Sequence, residues 1–445
     1  MDILITHVSV VTMDENFTVL TDAFLGVTDG KLSHLSKKAP DAAEKPEKII
    51  DGTGMVVMPG LINCHTHLPM TILRGVSDDC NLDDWLHALW EKEERLDDRA
   101  VKASTLLAIA ECLRFGVTSV SDMYDHVDAI AEAVAESGIK ANLARGTTML
   151  LPADEFDDRT FPACKELREV TRKWNGYDGG RIKIEASIHG EYTSTAPLWD
   201  FAARFAQEEG LGMHIHLSET AKEQEGSLER NGLTPAQVLD CHRVFEGRTV
   251  AAHCVHLTEE DMTLLGKRKV SAVHCPVSNL KLASGRADVI AMVKHGMNVA
   301  LGTDSACSNN NLDLFEELKL AALLAKELHG DAAAFTAPAA LMMATVCGAR
   351  AQGREQECGM LKVGMDADLC MLDFTQPHLI PCHDLMSHLV YAASGHDVVL
   401  TMVRGKILYA AGKYPTIDRE ALMKELAEYA VPKAMTPVEK EEDHA

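Results

Sequence analysis

Residues 55–67 read Met55-Val56-Val57-Met58-Pro59-Gly60-Leu61-Ile62-Asn63-Cys64-His65-Thr66-His67. The apolar run reads as a buried strand, and it ends in two histidines two residues apart. Side chains on a strand alternate faces, so His65 and His67 project together from one strand end. Two neutral imidazoles held side by side are half of a metal site. The pair alone has another reading, a core histidine beside one on a solvated loop. A chain with 20 histidines offers such pairs by chance.

The surrounding sequence supplies the context. Downstream, short apolar runs alternate with amphipathic stretches of helical length, such as Ala100 to Phe115, which closes at Gly116. The candidate strands are Val56–Ile62, Ser119–Met123, Lys140–Arg145, Lys183–Ile188, Gly212–Leu217, Thr249–His253, Val270–His274 and Asn298–Leu301. Repeated strand-then-helix units imply a parallel sheet, and eight of them imply a closed barrel. Before the barrel, Ile3-Leu4-Ile5, Val8-Ser9-Val10-Val11, Ala23 to Val27 and Ile49-Ile50 alternate like strands, with turns at Asp29-Gly30 and Asp51-Gly52. Strand texture returns at Asp368 to Asp373, Val398 to Val403 and Lys406 to Tyr409. The expected fold class is α/β: a (β/α)8 TIM barrel over 58–355, with a small β-sandwich domain built from both chain termini, 1–57 and 356–417. A C-terminal helix, Asp418 to Tyr429, and a polar, acidic tail, Thr436 to Ala445, complete the chain over 418–445.

Composition narrows the function classes. The 445 residues are 46% hydrophobic, enough for a sizeable core. Net charge is -24, from 43 basic and 67 acidic residues, which disfavours nucleic acid as a partner. Twelve cysteines without a Cys-x-x-Cys suit a reducing, cytoplasmic setting. The polar N-terminus does not resemble a signal peptide, and no 18-residue apolar run predicts a membrane span. Gly-x-Ser-x-Gly, Walker and His-Glu-x-x-His motifs are all missing.

Catalytic groups of an eight-stranded barrel lie at the C-terminal strand ends. The unusual polar residues fall there: His65 and His67, His189, His214 and His216 with Glu219, His253 and His256, His274, and Gly302-Thr303-Asp304-Ser305. A catalytic metal takes His and carboxylate ligands and keeps one position open for water. His65, His67, one histidine of the fifth strand and Asp304 form such a set. His216 lies closer to the strand end than His214, which leaves His214 as an outer partner of the ligands or a packing residue. No strand-end lysine stands out as a bridge, so one metal is expected; Lys183 lies at the wrong end of its strand. Asp304 has an alternative role as a helix cap. Glu219, three residues past His216, is either an exposed loop carboxylate or a general acid/base beside the metal.

At these residues the sequence resembles the amidohydrolase superfamily, in the branch of 5'-methylthioadenosine/S-adenosylhomocysteine deaminases, with chlorohydrolases and guanine deaminases nearby. The motifs are Met58 to His67, Met70 to Gly75, His214-Ile215-His216-Leu217-Ser218-Glu219-Thr220, His253-Cys254-Val255-His256, His274-Cys275-Pro276-Val277-Ser278-Asn279 and Leu301 to Ser305. Gly364 to Leu369, Gln376 to Pro381 and His388 to Tyr391 extend the likeness to the C-terminal part.

The resemblance implies one divalent metal, zinc before iron, nickel or manganese, held by His65, His67, His216 and Asp304. It implies Glu219 as proton shuttle, Asp304 as acceptor from the attacking water, and His253 as the group that orients that water or steadies the intermediate. His189 would hydrogen-bond the purine. The substrate implied is a small nucleoside, 5'-methylthioadenosine, S-adenosylhomocysteine or adenosine, deaminated hydrolytically. A carboxylate after the first strand would bind the ribose. Counting from Trp85, itself placed among the substrate-binding residues, selects Glu94; matching Leu89-Trp90-Glu91-Lys92-Glu93 to the family pattern selects Glu93. Arg145 matches an arginine that reaches the substrate's far end, and Arg159 is the candidate for a second. Glu191, in His189-Gly190-Glu191-Tyr192, departs from the family pattern and places a new charge beside the pocket. A homo-oligomer accords with the family. Two other readings stand: an amidohydrolase acting on guanine or a triazine, and a metal-free scaffold, which ought to lack a ligand.

Overall fold

The structure, a computed structural model, describes residues 1–41, 43–80 and 82–437. Its strands are β1 (Ile3–Val11), β2 (Val19–Thr28), β3 (Lys31–Ser36), β4 (Lys48–Asp51), β5 (Met55–Pro59), β6 (Leu61–Thr66), β7 (Val117–Tyr124) and β8 (Lys140–Arg145), followed by β9 (Ile182–Ser187), β10 (Gly212–Leu217), β11 (Thr249–His253), β12 (Ser271–His274), β13 (Asn298–Leu301), β14 (Leu369–Asp373), β15 (Val398–Val403) and β16 (Lys406–Ala410). Strands β6 to β13 follow one another in chain order through an eight-stranded sheet, every ladder parallel. Helices return the chain between strands, as parallel pairing requires. Side chains close the seam between β13 and β6. Asn63 Nδ2 donates to Thr303 Oγ1 at 2.8 Å, and Asn63 Oδ1 accepts from Thr303 N at 3.0 Å. Asp304 N donates to His65 O at 3.0 Å, so the seam joins two of the expected metal ligands.

The strands from both chain ends form a second sheet, in the order β16-β15-β14-β5-β1-β2-β3 with β4 beside β1. It has its own apolar cluster, including Ile5, Val10, Leu25, Val57, Met371 and Met402. The expected first barrel strand, 56–62, is corrected here: it is two strands in two sheets. β5 pairs with β14, Met58 opposite Cys370, and β6 enters the barrel. The chain changes sheets at Gly60, where a Cβ would lie 2.1 Å from Thr118 Cγ2, closer than any side chain permits. Both strands are buried, so hydrophobicity runs through the break without interruption.

The bottom of the barrel meets this terminal sheet through buried charge. Lys140, 1% exposed at the start of β8, places Nζ 2.6 Å from Asp368 Oδ2 and 2.8 Å from Asp366 Oδ2. Arg354 donates to Asn142 Oδ1 at 3.0 Å, Glu357 Oε2 at 2.9 Å and the carbonyls of Ala141 and Arg181 at 3.0 Å. Lys183 donates to Glu357 Oε1 at 2.8 Å. The closing helix starts at a capping Asp418 and runs over Arg419–Glu425, with further helical turns at Leu426–Ala430 and Val431–Met435. Of the acidic tail, 438–445 lies outside the described residues. Among the described residues no helix is long and apolar enough to cross a membrane.

Candidate active site

Barrel geometry brings the polar strand ends together. β6 carries His65 and ends beside His67; β10 carries His214 and His216. The register of β10 on β11 sets Leu217 beside His253. Gly302 lets the last strand approach the first, since a Cβ there would fall 2.9 Å from both the Cβ and the backbone N of His65. Ser218, His253 and Asp304 all have left-handed φ, 50°, 72° and 60°. Such backbone is costly for a residue with a Cβ and persists where the surroundings enforce it.

The imidazole edges converge. His67 Nε2 lies 3.3 Å from His216 Nε2 and 3.3 Å from Asp304 Oδ1, and His65 Nε2 lies 3.5 Å from the same oxygen. His67 Nδ1 is 2.5 Å from Met123 O, and His216 Nδ1 is 2.7 Å from His189 O. A carbonyl only accepts, so both Nδ1 atoms carry hydrogen, and in the neutral rings that a metal requires both Nε2 atoms are the free lone-pair donors. Without a metal, burial lowers His67 but Asp304 outweighs it and raises the ring to about 9. His65 Nε2 is buried with no hydrogen-bond partner among the described residues. Burial holds the His65 and His216 rings well below the ordinary imidazole range, hence neutral, as metal ligands must be. Asp304 is buried too, but His65 and His67 outweigh that and hold its carboxyl well below the usual range. Ser278 and Ser308 donate to its other oxygen at 2.6 and 2.8 Å, leaving Oδ1 for the histidine edges. The ligand atoms of His65, His67 and His216 lie within 4.8 Å of one another, with Asp304 Oδ1 against two of the three, a donor set that fits one divalent metal. His65, His253 and Asp304 also converge, so His253 lies at the edge of the same center.

A cavity of about 800 Å³ opens over these groups, with His67, His189, His216, Glu219, His253 and Asp304 in its wall. Glu219 Oε2 lies 3.7 Å from His253 Nε2, and Oε1 accepts from Ser284 Oγ at 3.2 Å. Burial raises the Glu219 carboxyl above its ordinary value against the opposing charge of His253. Asn279 Oδ1, 2.9 Å from His253 Nδ1, takes the hydrogen on that side of the ring. Burial pushes His189 down to about 3, so it is a neutral ring beside Thr193 Oγ1 at 3.1 Å. Leu82, Trp85, Leu86, Met149 and Phe161 give the cavity an apolar wall.

The amidohydrolase family model matches residues 56–408. A 5-methylthioadenosine/S-adenosylhomocysteine deaminase of Acetivibrio thermocellus is 41% identical over 432 residues, 97% of this chain and 99% of that protein. The chain belongs to the amidohydrolase family. Another relative, a 5'-deoxyadenosine deaminase of Methanosarcina mazei, is 41% identical over 425 residues, 95% of this chain and 96% of that protein. A zinc-bound crystal structure of an adenosine deaminase from Xanthomonas campestris superposes with a TM-score of 0.91 at 33% identity, covering 98% of this chain and 99% of that one.

Within this amidohydrolase the remaining expected site residues are placed unequally. Trp85, Glu93 and Glu94 line the cavity. Glu93 is half-buried, and its Oε1 accepts from Tyr124 Oη at 2.7 Å; Glu94 is exposed. Arg145 is not in the cavity wall; it donates to Glu166 Oε2 at 2.6 Å and to two residues of the wall, Asp125 and the Gly146 carbonyl. Arg159 lies exposed, outside the lining. The charge of Glu191 also points away. It is buried, accepting from Arg230 Nη2 at 2.6 Å and Asn231 Nδ2 at 2.9 Å, while His189, Tyr192 and Thr193 line the cavity.

Several contributors escaped the sequence reading. Asp122 Oδ1 accepts from Leu68 N at 2.6 Å and Thr66 Oγ1 at 3.0 Å, fixing the chain on both sides of His67. Asp122 and Tyr124 share a face two residues apart at the end of β7, the same signal that exposed His65 and His67. Glu223 accepts from Ser218 N at 2.8 Å and Glu219 N at 2.7 Å, clamping the turn that aims Glu219. Its signal is Thr220-x-x-Glu223 at a helix start, where Thr220 caps Glu223 N at 3.1 Å.

Proposed function

We propose that this amidohydrolase is a zinc-dependent deaminase of adenine nucleosides, replacing the 6-amino group by oxygen and releasing ammonia. One juxtaposition carries the reading: a one-metal donor set, a buried Glu219 and a Tyr124-held Glu93 share one cavity. The names of the 41% identical relatives support it, as does the zinc in the adenosine deaminase structure.

Zinc held by His65, His67, His216 and Asp304 would supply Lewis acidity, lowering the pKa of a water from 15.7 toward ~7. The protein's own groups do the rest. Glu219 takes a proton from the attacking water and gives it to N1 of the purine as C6 becomes tetrahedral. The second water proton goes to the amino group, which departs as ammonia. His253, oriented by Asn279, steadies the oxygen at C6, and His189 hydrogen-bonds the ring. Glu93 accepts from the ribose hydroxyls; its hold by Tyr124 favours it over Glu94. With Arg145 committed to Asp125 and Glu166, the apolar wall suits a methylthio or deoxy 5' end better than one bearing a carboxylate. All twelve cysteines are free, which supports a cytoplasmic protein, and the family likeness accords with a homo-oligomer.

An ammonia-release screen tests the reading across 5'-methylthioadenosine, 5'-deoxyadenosine, adenosine, S-adenosylhomocysteine, guanine and a chlorotriazine. The first two are expected to turn over fastest. Guanine or the triazine as best substrate by a wide margin would overturn the nucleoside reading.

A further inference from the structure

Behind the ligand set, away from the cavity, a second polar chain is buried in the barrel. His65 Nδ1 lies 2.9 Å from His214 Nε2, and both residues are 0% exposed. His214 Nδ1 faces Glu185 Oε2 at 3.8 Å. Each of these two facing atoms is buried with no hydrogen-bond partner among the described residues. The other Glu185 oxygen is occupied: Asn142 Nδ2 donates to it at 2.7 Å and Arg248 Nη1 lies 2.7 Å away. A buried carboxylate with one oxygen aimed at an open ring nitrogen calls for an explanation, because unmatched buried polar atoms are costly.

The tautomers supply one. A metal on His65 Nε2 requires the hydrogen of that ring on Nδ1. That Nδ1–H then donates to His214 Nε2, so His214 carries its own hydrogen on Nδ1, directed at the carboxylate. We propose that Glu185 and His214 are positioning residues that fix the tautomer and ring plane of His65 and thereby set how tightly the metal is held. Neither touches substrate or metal; they act through His65. The inference rests on the metal reading of His65, His67, His216 and Asp304. Outer partners of this kind are worth about 10–100-fold in metal affinity.

Glu185→Gln is the sharp test because it keeps the volume. With its oxygen held by Asn142 and Arg248, the glutamine would turn an NH₂ toward His214 and favour the wrong tautomer. Zinc dissociation constants would be measured on the full-length protein by competition with a chromophoric chelator, for wild type, E185Q and H214N, with thermal melts of the metal-free forms as folding controls. Both variants are expected to bind zinc about 10–100-fold more weakly, and the visible bands of the cobalt(II)-loaded proteins to shift. E185Q keeps the test decisive should H214N fail to fold. Folded E185Q with wild-type zinc affinity and wild-type cobalt bands overturns this inference alone. A wild type that binds no zinc would bring down the metal reading and this inference with it.

Discussion

Both ends of the barrel bury charge, and they treat it in opposite ways. At the bottom, Lys140, Lys183 and Arg354 meet Asp366, Asp368 and Glu357 at 2.6–2.9 Å. At the top, His67 and His216 bring their Nε2 atoms within 3.3 Å of each other, and His65 Nε2 has no partner among the described residues. A matched cluster is complete within the protein and holds its parts together. A convergent, unmatched one is stable only with something added, so the unmatched end is where chemistry belongs. Both clusters are rich in ionisable groups; what separates them is whether their partners lie inside the chain.

If the top end is a metal site, removing one of its ligands has the largest effect. Asp304→Ala is expected to lose bound zinc and to cut deamination by more than about 10⁴-fold. Metal analysis and ammonia release check it, and a folded variant with full activity would refute the site. Glu219→Gln separates proton transfer from metal binding: kcat should fall about 10²–10⁴-fold with zinc content unchanged. The bottom end should respond the other way. Lys140→Met leaves buried carboxylates without their cation, a loss of about 3–5 kcal/mol in unfolding stability. Its kcat per folded molecule should stay within about twofold, because the variant touches no group at the strand C-termini. A large fall in kcat there would mean that the two ends are coupled.

Glu93→Gln sharpens the top end further by separating its two walls. The KM for 5'-methylthioadenosine should rise about 10-fold, the cost of one hydrogen bond to a charged group. Slow turnover of free adenine, which has no ribose, should be unaffected. Equal effects on both substrates would move the ribose contact to Glu94 or elsewhere.

The top end was legible in the sequence because strand ends and ligand types coincide there. His65 and His67 belong to a two-residue period, and His216, Glu219, His253 and Asp304 each follow an apolar run. Four things were not legible. The strand break at Gly60 leaves no trace in hydrophobicity, since both flanking strands are buried. The choice between Glu93 and Glu94 turns on helical phase, as neighbours on a helix point about 100° apart and charge alone does not say which faces in. Arg145 was legible as a strand-end cation, but the direction of its side chain depends on Glu166, 21 residues away in sequence. Glu185 escaped for a related reason: an inward polar residue inside a barrel declares its role only once Asn142, Arg248 and His214 are placed around it.

The smallest expected effect tests how the bottom end behaves with pH. Burial raises the Asp366 carboxyl, but Lys140 and Lys31 outweigh that and leave it below its ordinary value. Burial lowers Lys140, but Asp368 and Asp366 outweigh that and leave it raised. A carboxylate with a depressed folded pKa contributes stability above its unfolded value of about 3.9, and loses it as pH falls through the folded pKa. A lysine with a raised pKa contributes below its unfolded value of about 10.4, and loses that as pH climbs beyond it. Between these limits the pair is fully charged. Asp366→Asn should therefore lower stability by about 1–2 kcal/mol, uniformly from pH 5 to 9, with the gap from wild type closing only below about pH 4. Thermal melts across that range read it directly. A gap that varied through neutral pH would show the bottom cluster titrating where it should be inert, and the contrast with the metal end would lose its basis.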